Sequence, residues 1–141
     1  MTPLEALQST LAGEHAAVYV YGVLGGRVSA SAEPALSTAL RAAHDVHRVR
    51  RDQVTAMVRA VGEDPVAAAV GYELPNAADT ARRCRRAAAL LEERSAGLYA
   101  AMVGNTARAN RQWAIDALTD AAVRGLTFGV EPTPWPGAPE L

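Results

Sequence analysis

His44 and His47 stand three residues apart in a stretch whose apolar residues recur at steps of three and four. Leu36, Leu40, Ala43, His47, Arg51, Val54, Val58 and Val61 fall on one helical face, so His47 and Arg51 interrupt a core-directed stripe near mid-helix. Glu14 does the same on an earlier stripe of Leu4, Leu7, Leu11, Val18 and Tyr21. Glu92 flanks a third, Cys84, Ala88, Leu91, Ser95, Leu98 and Met102, more closely than its neighbour Glu93. Buried charge is costly unless it is paired, so these groups should answer one another across the bundle. Two chemistries are open to them. They can share a cation, with Glu14, His44, His47 and Glu92 as the ligand candidates, because residues at i and i+3 reach one point from the same face. Or they can neutralise each other without a metal. Arg51 favours the second: a guanidinium does not coordinate a cation and repels one nearby. Glu92 has no Arg at i±3 or i±4 on its own helix, which directs it to a partner elsewhere. The expected arrangement is therefore a metal-free buried polar cluster of Glu14, His47, Arg51 and Glu92, with His15 or His44 nearby and no cofactor. A cation site on these residues is the alternative, and simple solvent exposure of most of them is a third reading.

Four long helices must hold these groups. The first should open at Thr2, whose Thr-Pro-Leu-Glu run supplies an N-cap, a Pro at the first helical position and a capping-box Glu5, and should end at Gly25-Gly26. The second should run from Pro34 to Gly62. The stretch from Gly62 to Pro75 carries Pro65, Gly71 and Pro75 and is not periodic, although Val66 to Val70 could form one turn. Helix-to-helix hairpins usually take 2–8 residues. Helix two spans roughly 42 Å at ~1.5 Å per residue, and about fourteen extended residues reach roughly 46 Å. The connection is thus expected to cross back along the bundle. Helix three should start at Asn76 with Asp79 as its capping acid, and Gly104-Asn105 should turn the chain into helix four, from about Thr106 to Gly125. Ala107, Ala114, Ile115, Leu118, Ala122 and Leu126 are expected to face inward on helix four, with Asp116, Asp120 and Arg124 forming a solvent-side ladder. Residues 128–141 form a Pro-rich tail, extended and partly polyproline-like, which Trp135 should pin to the bundle. The domain reading is a bundle over residues 1–127 and a tail over 128–141 packed on it.

Composition narrows the function classes. The 141 residues are half apolar with a single Phe and abundant Ala, which suits closely packed helices in one domain. The net charge of -1 provides no global field for nucleic acid or an anionic membrane. All fourteen basic residues are Arg, and the cluster of Arg82, Arg83, Arg85 and Arg86 reads as a solvated face. The lone Cys84 excludes an internal disulfide and reads as a small buried hydrophobe. Glu14 and His15 interrupt the only early apolar run, so no signal peptide is expected, and no uncharged run reaches membrane-spanning length. A soluble cytoplasmic protein is the expectation. Phosphate loops, Gly-x-Ser-x-Gly and His-Glu-x-x-His are all missing from the sequence. Tyr19, Tyr21, Tyr72 and Tyr99 read as core or rim residues, and no small-molecule substrate is identifiable.

Three segments carry a family resemblance: Gly13-Glu14-His15-Ala16-Ala17, His44-x-x-His47-Arg48-x-Arg50-Arg51-Asp52, and Gly71-Tyr72-Glu73-Leu74-Pro75. With them the chain resembles the ferritin-like superfamily, in particular an uncharacterised bacterial ferritin-like family, over about residues 4–137. The resemblance implies an all-α, ferritin-like four-helix bundle with a long crossover between helices 2 and 3. It also implies that Glu14 and His47 are positional equivalents of di-metal ligands, which in such bundles come as a Glu from each of two helices and a Glu-x-x-His from each of the others. Helix four carries no Glu-x-x-His. The expected protein is thus a ferritin-like bundle of unknown physiological role without a functional di-metal site, non-enzymatic or of unknown activity. The alternatives that the resemblance leaves open are a degenerate metal-binding oxidase with iron or manganese as cofactor, or an iron-handling protein, and a homodimeric interaction module.

Overall fold

The computed structural model describes residues 1–140 and contains four long helices, α1 (Pro3–Arg27), α2 (Pro34–Ala60), α3 (Ala81–Asn105) and α4 (Arg108–Thr127), followed by a short 3-10 turn at Ala138–Glu140. Among the described residues there are no strands. The α1 start follows the expected capping box: Thr2 Oγ1 accepts from the Glu5 N–H, and Glu5 reaches back to the Thr2 N–H at 2.6 Å. Gly25 and Gly26 do not end the helix, which continues to Arg27. Asn76 does not start α3 either. Its Oδ1 accepts from the Ala78 N–H in a local turn, and Thr80 is the N-cap that accepts from Arg83 N–H. A side chain that closes an Asx turn is no longer free to cap.

The connection over residues 61–80 has no helical turn at Val66–Val70 and runs the length of α1. Gln8 holds its beginning, donating to Asp64 O and accepting from Val66 N–H. His15 meets Val66 O, Tyr19 packs on Tyr72, and Arg27 donates to Ala77 O at the far end. The chain therefore returns to the C-terminal end of α1 before α3 begins. This crossover sets α3 antiparallel to α1 and parallel to α2, with α4 antiparallel to α2.

Two apolar clusters fill the ends of the bundle. One gathers Tyr21, Leu24, Leu36, Leu40, Cys84 and Phe128; the other gathers Leu7, Leu11, Val54, Val58, Met102 and Ala114. Glu14, His47, Arg50 and Glu92 occupy the layer between them, each 6% exposed or less. Between α3 and α4 the contact surfaces are small residues, with Ala96, Ala100, Ala114, Ala117, Ala121 and Gly125 all buried. Small side chains allow close helix approach. That approach turns α4 away from the expected phase: Ile115 and Leu126 are 40% and 47% exposed, and Ala107 is exposed. Leu118 and Ala122 lie half-buried at the flank. The tail folds back on α3 at Gly137, while Trp135 is 71% exposed and pins nothing.

Candidate functional site

His47 is the centre of the polar layer and is fully buried. Its Nδ1 lies 2.7 Å from Glu14 Oε2 and its Nε2 lies 3.1 Å from Glu92 Oε1. A carboxylate only accepts. With both carboxylates ionised, both ring nitrogens must donate, and the ring is an imidazolium. Burial pushes the His47 pKa down, but hydrogen bonds and charge from Glu14 and Glu92 outweigh it and hold the pKa above the ordinary imidazole value. Tyr21 stacks on the ring at 5.3 Å between centroids.

Two tyrosines complete the carboxylates. Tyr21 donates to Glu92 Oε1 at 2.5 Å, and Tyr99 donates to Glu14 Oε1. Burial first, then the adjacent carboxylate, pushes both phenols well above their ordinary pKa, so they remain neutral donors. Each tyrosine lies seven residues beyond the carboxylate on its own helix, Glu14 to Tyr21 on α1 and Glu92 to Tyr99 on α3. Seven residues are about two helical turns. In an antiparallel pair, that offset lets each tyrosine reach the other helix's carboxylate. The repeated Glu-x6-Tyr spacing was a usable signal for Tyr21 and Tyr99, which otherwise look like ordinary core aromatics.

Arginine enters the layer from two helices, and neither residue is Arg51. Arg50 donates to Tyr99 Oη, to Ala117 O and to Asp120, and its guanidinium lies 5.0 Å from the centroid of the Tyr99 ring. Burial lowers its pKa, but Tyr99 and Asp120 outweigh this and raise it. Arg51 is half-buried and folds onto its neighbour Asp52. Positions 50 and 51 both continue the stripe from His47 to Val54. The partners decide between them: Tyr99, Ala117 O and Asp120 all lie on the side to which residue 50 points. On α4, Asp120 and Arg124 turn toward this layer instead of forming a purely solvent-side ladder, and Asp116 alone stays outside, bonded to Gln112. Arg124 Nη1 is 2.7 Å from Asp120 Oδ2 and 3.8 Å from Glu92 Oε2. Burial raises the Asp120 pKa, but Arg124 and then Arg50 outweigh it and leave it below the carboxylate range. The residual Glu92 Oε2 has no hydrogen-bond partner among the described residues.

The other candidates fall outside. Glu93 is exposed, which settles Glu92 as the inward residue. His44 is partly exposed, with Nδ1 3.9 Å from Asp45, and His15 serves the crossover.

The donor set does not fit a di-metal centre. Both nitrogens of His47 are committed to carboxylates, three carboxylate oxygens accept from Tyr21, Tyr99 and His47, and two guanidinium groups stand beside them. Three anions, Glu14, Glu92 and Asp120, face three cations, His47⁺, Arg50 and Arg124. A divalent ion would have to displace the imidazolium proton and sit beside like charge. Among the described residues no group of three or more His, Cys, Asp or Glu side chains has the geometry of a metal centre.

Fold and site thus define an all-α four-helix bundle with a long crossover and a buried layer of carboxylate, imidazole and guanidinium groups. Among the described residues no helix is long and apolar enough to cross a membrane. The chain belongs to the family described as Domain of unknown function (DUF4439), which matches residues 6–140. It is also similar to a conserved hypothetical protein, rv2844, from Mycobacterium tuberculosis, known from a crystal structure. The two are 33% identical with a TM-score of 0.82, over 89% of this chain and 93% of that one. No curated protein matches.

Proposed function

We propose that this protein is a ferritin-like bundle in which a self-neutralising charge layer takes the place of a metal centre, and that it has no metal-dependent enzymatic activity. The observation that carries this reading is His47, held between Glu14 and Glu92 through both ring nitrogens. In a metal-bearing bundle the inward carboxylates are balanced by bound cations. Here an imidazolium from α2 and guanidinium groups from α2 and α4 supply that balance. The layer is then an element of stability and of helix register, because each charge has partners in one arrangement only.

Titration of the purified chain with iron(II), manganese(II) and zinc(II), followed by desalting and elemental analysis, tests the reading. The expected result is no stoichiometric retention of any of the three. Retention near one or two ions per chain that Glu14→Ala abolishes would assign the layer as a metal site and overturn the proposal.

A further inference from the structure

A cavity of about 1290 Å³ lies between α3, α4, the N-terminal end of α1 and the C-terminal segment. That exceeds the roughly 300–1,000 Å³ usual for small-molecule pockets. Its depth has a local cause. Gly97, Ala101, Ala122 and Gly125 contribute to its walls between larger neighbours such as Leu90, Leu98 and Val123, so the helix surfaces are lowest at those four positions.

The C-terminal segment spans this space as an arch fixed at both ends. At one end Val130 N–H donates to Gly125 O at 2.9 Å, and a Cβ on Gly125 would stand 3.1 Å from Val130 Cγ2. At the other end Gly137, at φ +69°, packs so closely on α3 that a Cβ would stand 2.7 Å from both Ala96 O and Ala100 Cβ. Residues 131–135 between the two anchors are exposed. Pro132, Pro134 and Pro136 restrict φ along the span, so the arch resists collapse onto the helices.

Four exposed apolar side chains line the cavity: Met1 at 66%, Val123 at 60%, Leu126 at 47% and Trp135 at 71%. Apolar surface gathered at one concavity marks a binding site more often than scattered exposure does. Of the charged side chains that line it, Arg86 and Arg94 stand at the exposed edge against Glu93 and Glu131, and the buried Glu92 is answered by His47 and Arg124 behind the wall. The rim therefore selects for neither an anionic nor a cationic head group. We propose that this cavity binds a neutral, apolar small molecule, with the proline-rich arch as its roof. The cavity shares Glu92 with the buried charge layer as part of its wall, but the proposal does not rest on the function proposed for that layer.

The test uses the full chain and the neutral fluorophore N-phenyl-1-naphthylamine, with 1-anilinonaphthalene-8-sulfonate as its anionic counterpart. The neutral probe should bind saturably at one site per chain and be displaced by 1-decanol. The sulfonate should bind weaker by roughly tenfold or more. Ala122→Trp, which fills the cavity from its wall, should weaken the neutral probe by a similar factor, whereas the exposed Ala109→Trp on α4 should not. Gly137→Val releases the arch from α3 and should also weaken binding, which keeps the test decisive if Ala122→Trp fails to fold by circular dichroism. Absence of saturable binding, or equal affinity in wild type and a folded cavity variant, overturns the proposal. So does a dimer in light scattering that Ala122→Trp dissociates, because the face would then belong to a second copy of this chain.

Discussion

Tyr21 on α1 donates to Glu92 on α3 at 2.5 Å, and Tyr99 on α3 returns the same bond to Glu14 on α1. His47 from α2 lies between the two carboxylates. The pair of antiparallel helices is thus cross-linked twice by the same Glu-x6-Tyr device, with one imidazole joining both links. Tyr21→Phe and Tyr99→Phe should each cost about 1–3 kcal/mol, since each leaves a buried carboxylate short of a donor. Urea denaturation of both single variants and the double variant measures this. A coupling above about 0.5 kcal/mol would show that the two links act through His47 as one network.

Removing a charge from the middle of the layer should cost more. Glu14→Ala leaves the imidazolium, Tyr99 and Arg50 facing an uncompensated site, and breaking a buried pair in this way costs about 3–5 kcal/mol. Equilibrium unfolding at neutral pH is the measurement. A loss below about 1 kcal/mol would mean that water reaches the layer and that its charges are solvated.

The two adjacent arginines should behave differently. Arg50 is 6% exposed and holds Tyr99, Ala117 O and Asp120, whereas Arg51 holds only Asp52 at the surface. Arg50→Leu should destabilise by about 1–3 kcal/mol. The lower figure allows for Asp120, which is about half exposed and keeps Arg124. Arg51→Ala should stay within about 0.5 kcal/mol of wild type. Equal effects at the two positions would contradict the placement of Arg50 in the core.

Stability should fall on both sides of a plateau in pH. The folded His47 pKa is raised, so its contribution is complete below the unfolded value of about 6.5 and is lost as pH rises through the folded value. The folded Asp120 pKa is lowered, so its contribution is present above the unfolded value of about 3.9 and is lost as pH falls through the folded value. Asp120 is half exposed, and solvent screening makes its limb the shallower one. Unfolding free energies of wild type and His47→Gln across this range test the assignment. The alkaline decline should vanish in His47→Gln.

The tail anchor offers a local prediction. Gly137 has φ +69° and no room for a side chain against Ala96 O. Gly137→Val should detach residues 131–140 from α3 at a cost of about 1–3 kcal/mol, while the helical circular dichroism of the bundle is retained. Limited proteolysis should then cut the tail faster than in wild type.

Much of this was legible in local order. The capping box at Thr2, the stripes of α1, α2 and α3, and the long aperiodic segment after Gly62 all follow from short-range rules, because helix periodicity and turn chemistry depend on neighbours a few residues away. The inward placement of Glu14, His47 and Glu92 follows from the same periodicity. Other features depend on what stands opposite. Positions 50 and 51 fit the stripe equally well, and only Tyr99 and Asp120 on other helices select Arg50. On α4 the largest apolar residues point to one face, but the Ala-rich surface of α3 admits only the small face of Ala114, Ala117, Ala121 and Gly125. That choice carries Asp120 and Arg124 into the charge layer. The sequence by itself determined four amphipathic helices, their crossover and three inward polar groups. Which cation answers those groups was decided by tertiary packing, because a buried charge is held only where partners from other helices converge on it.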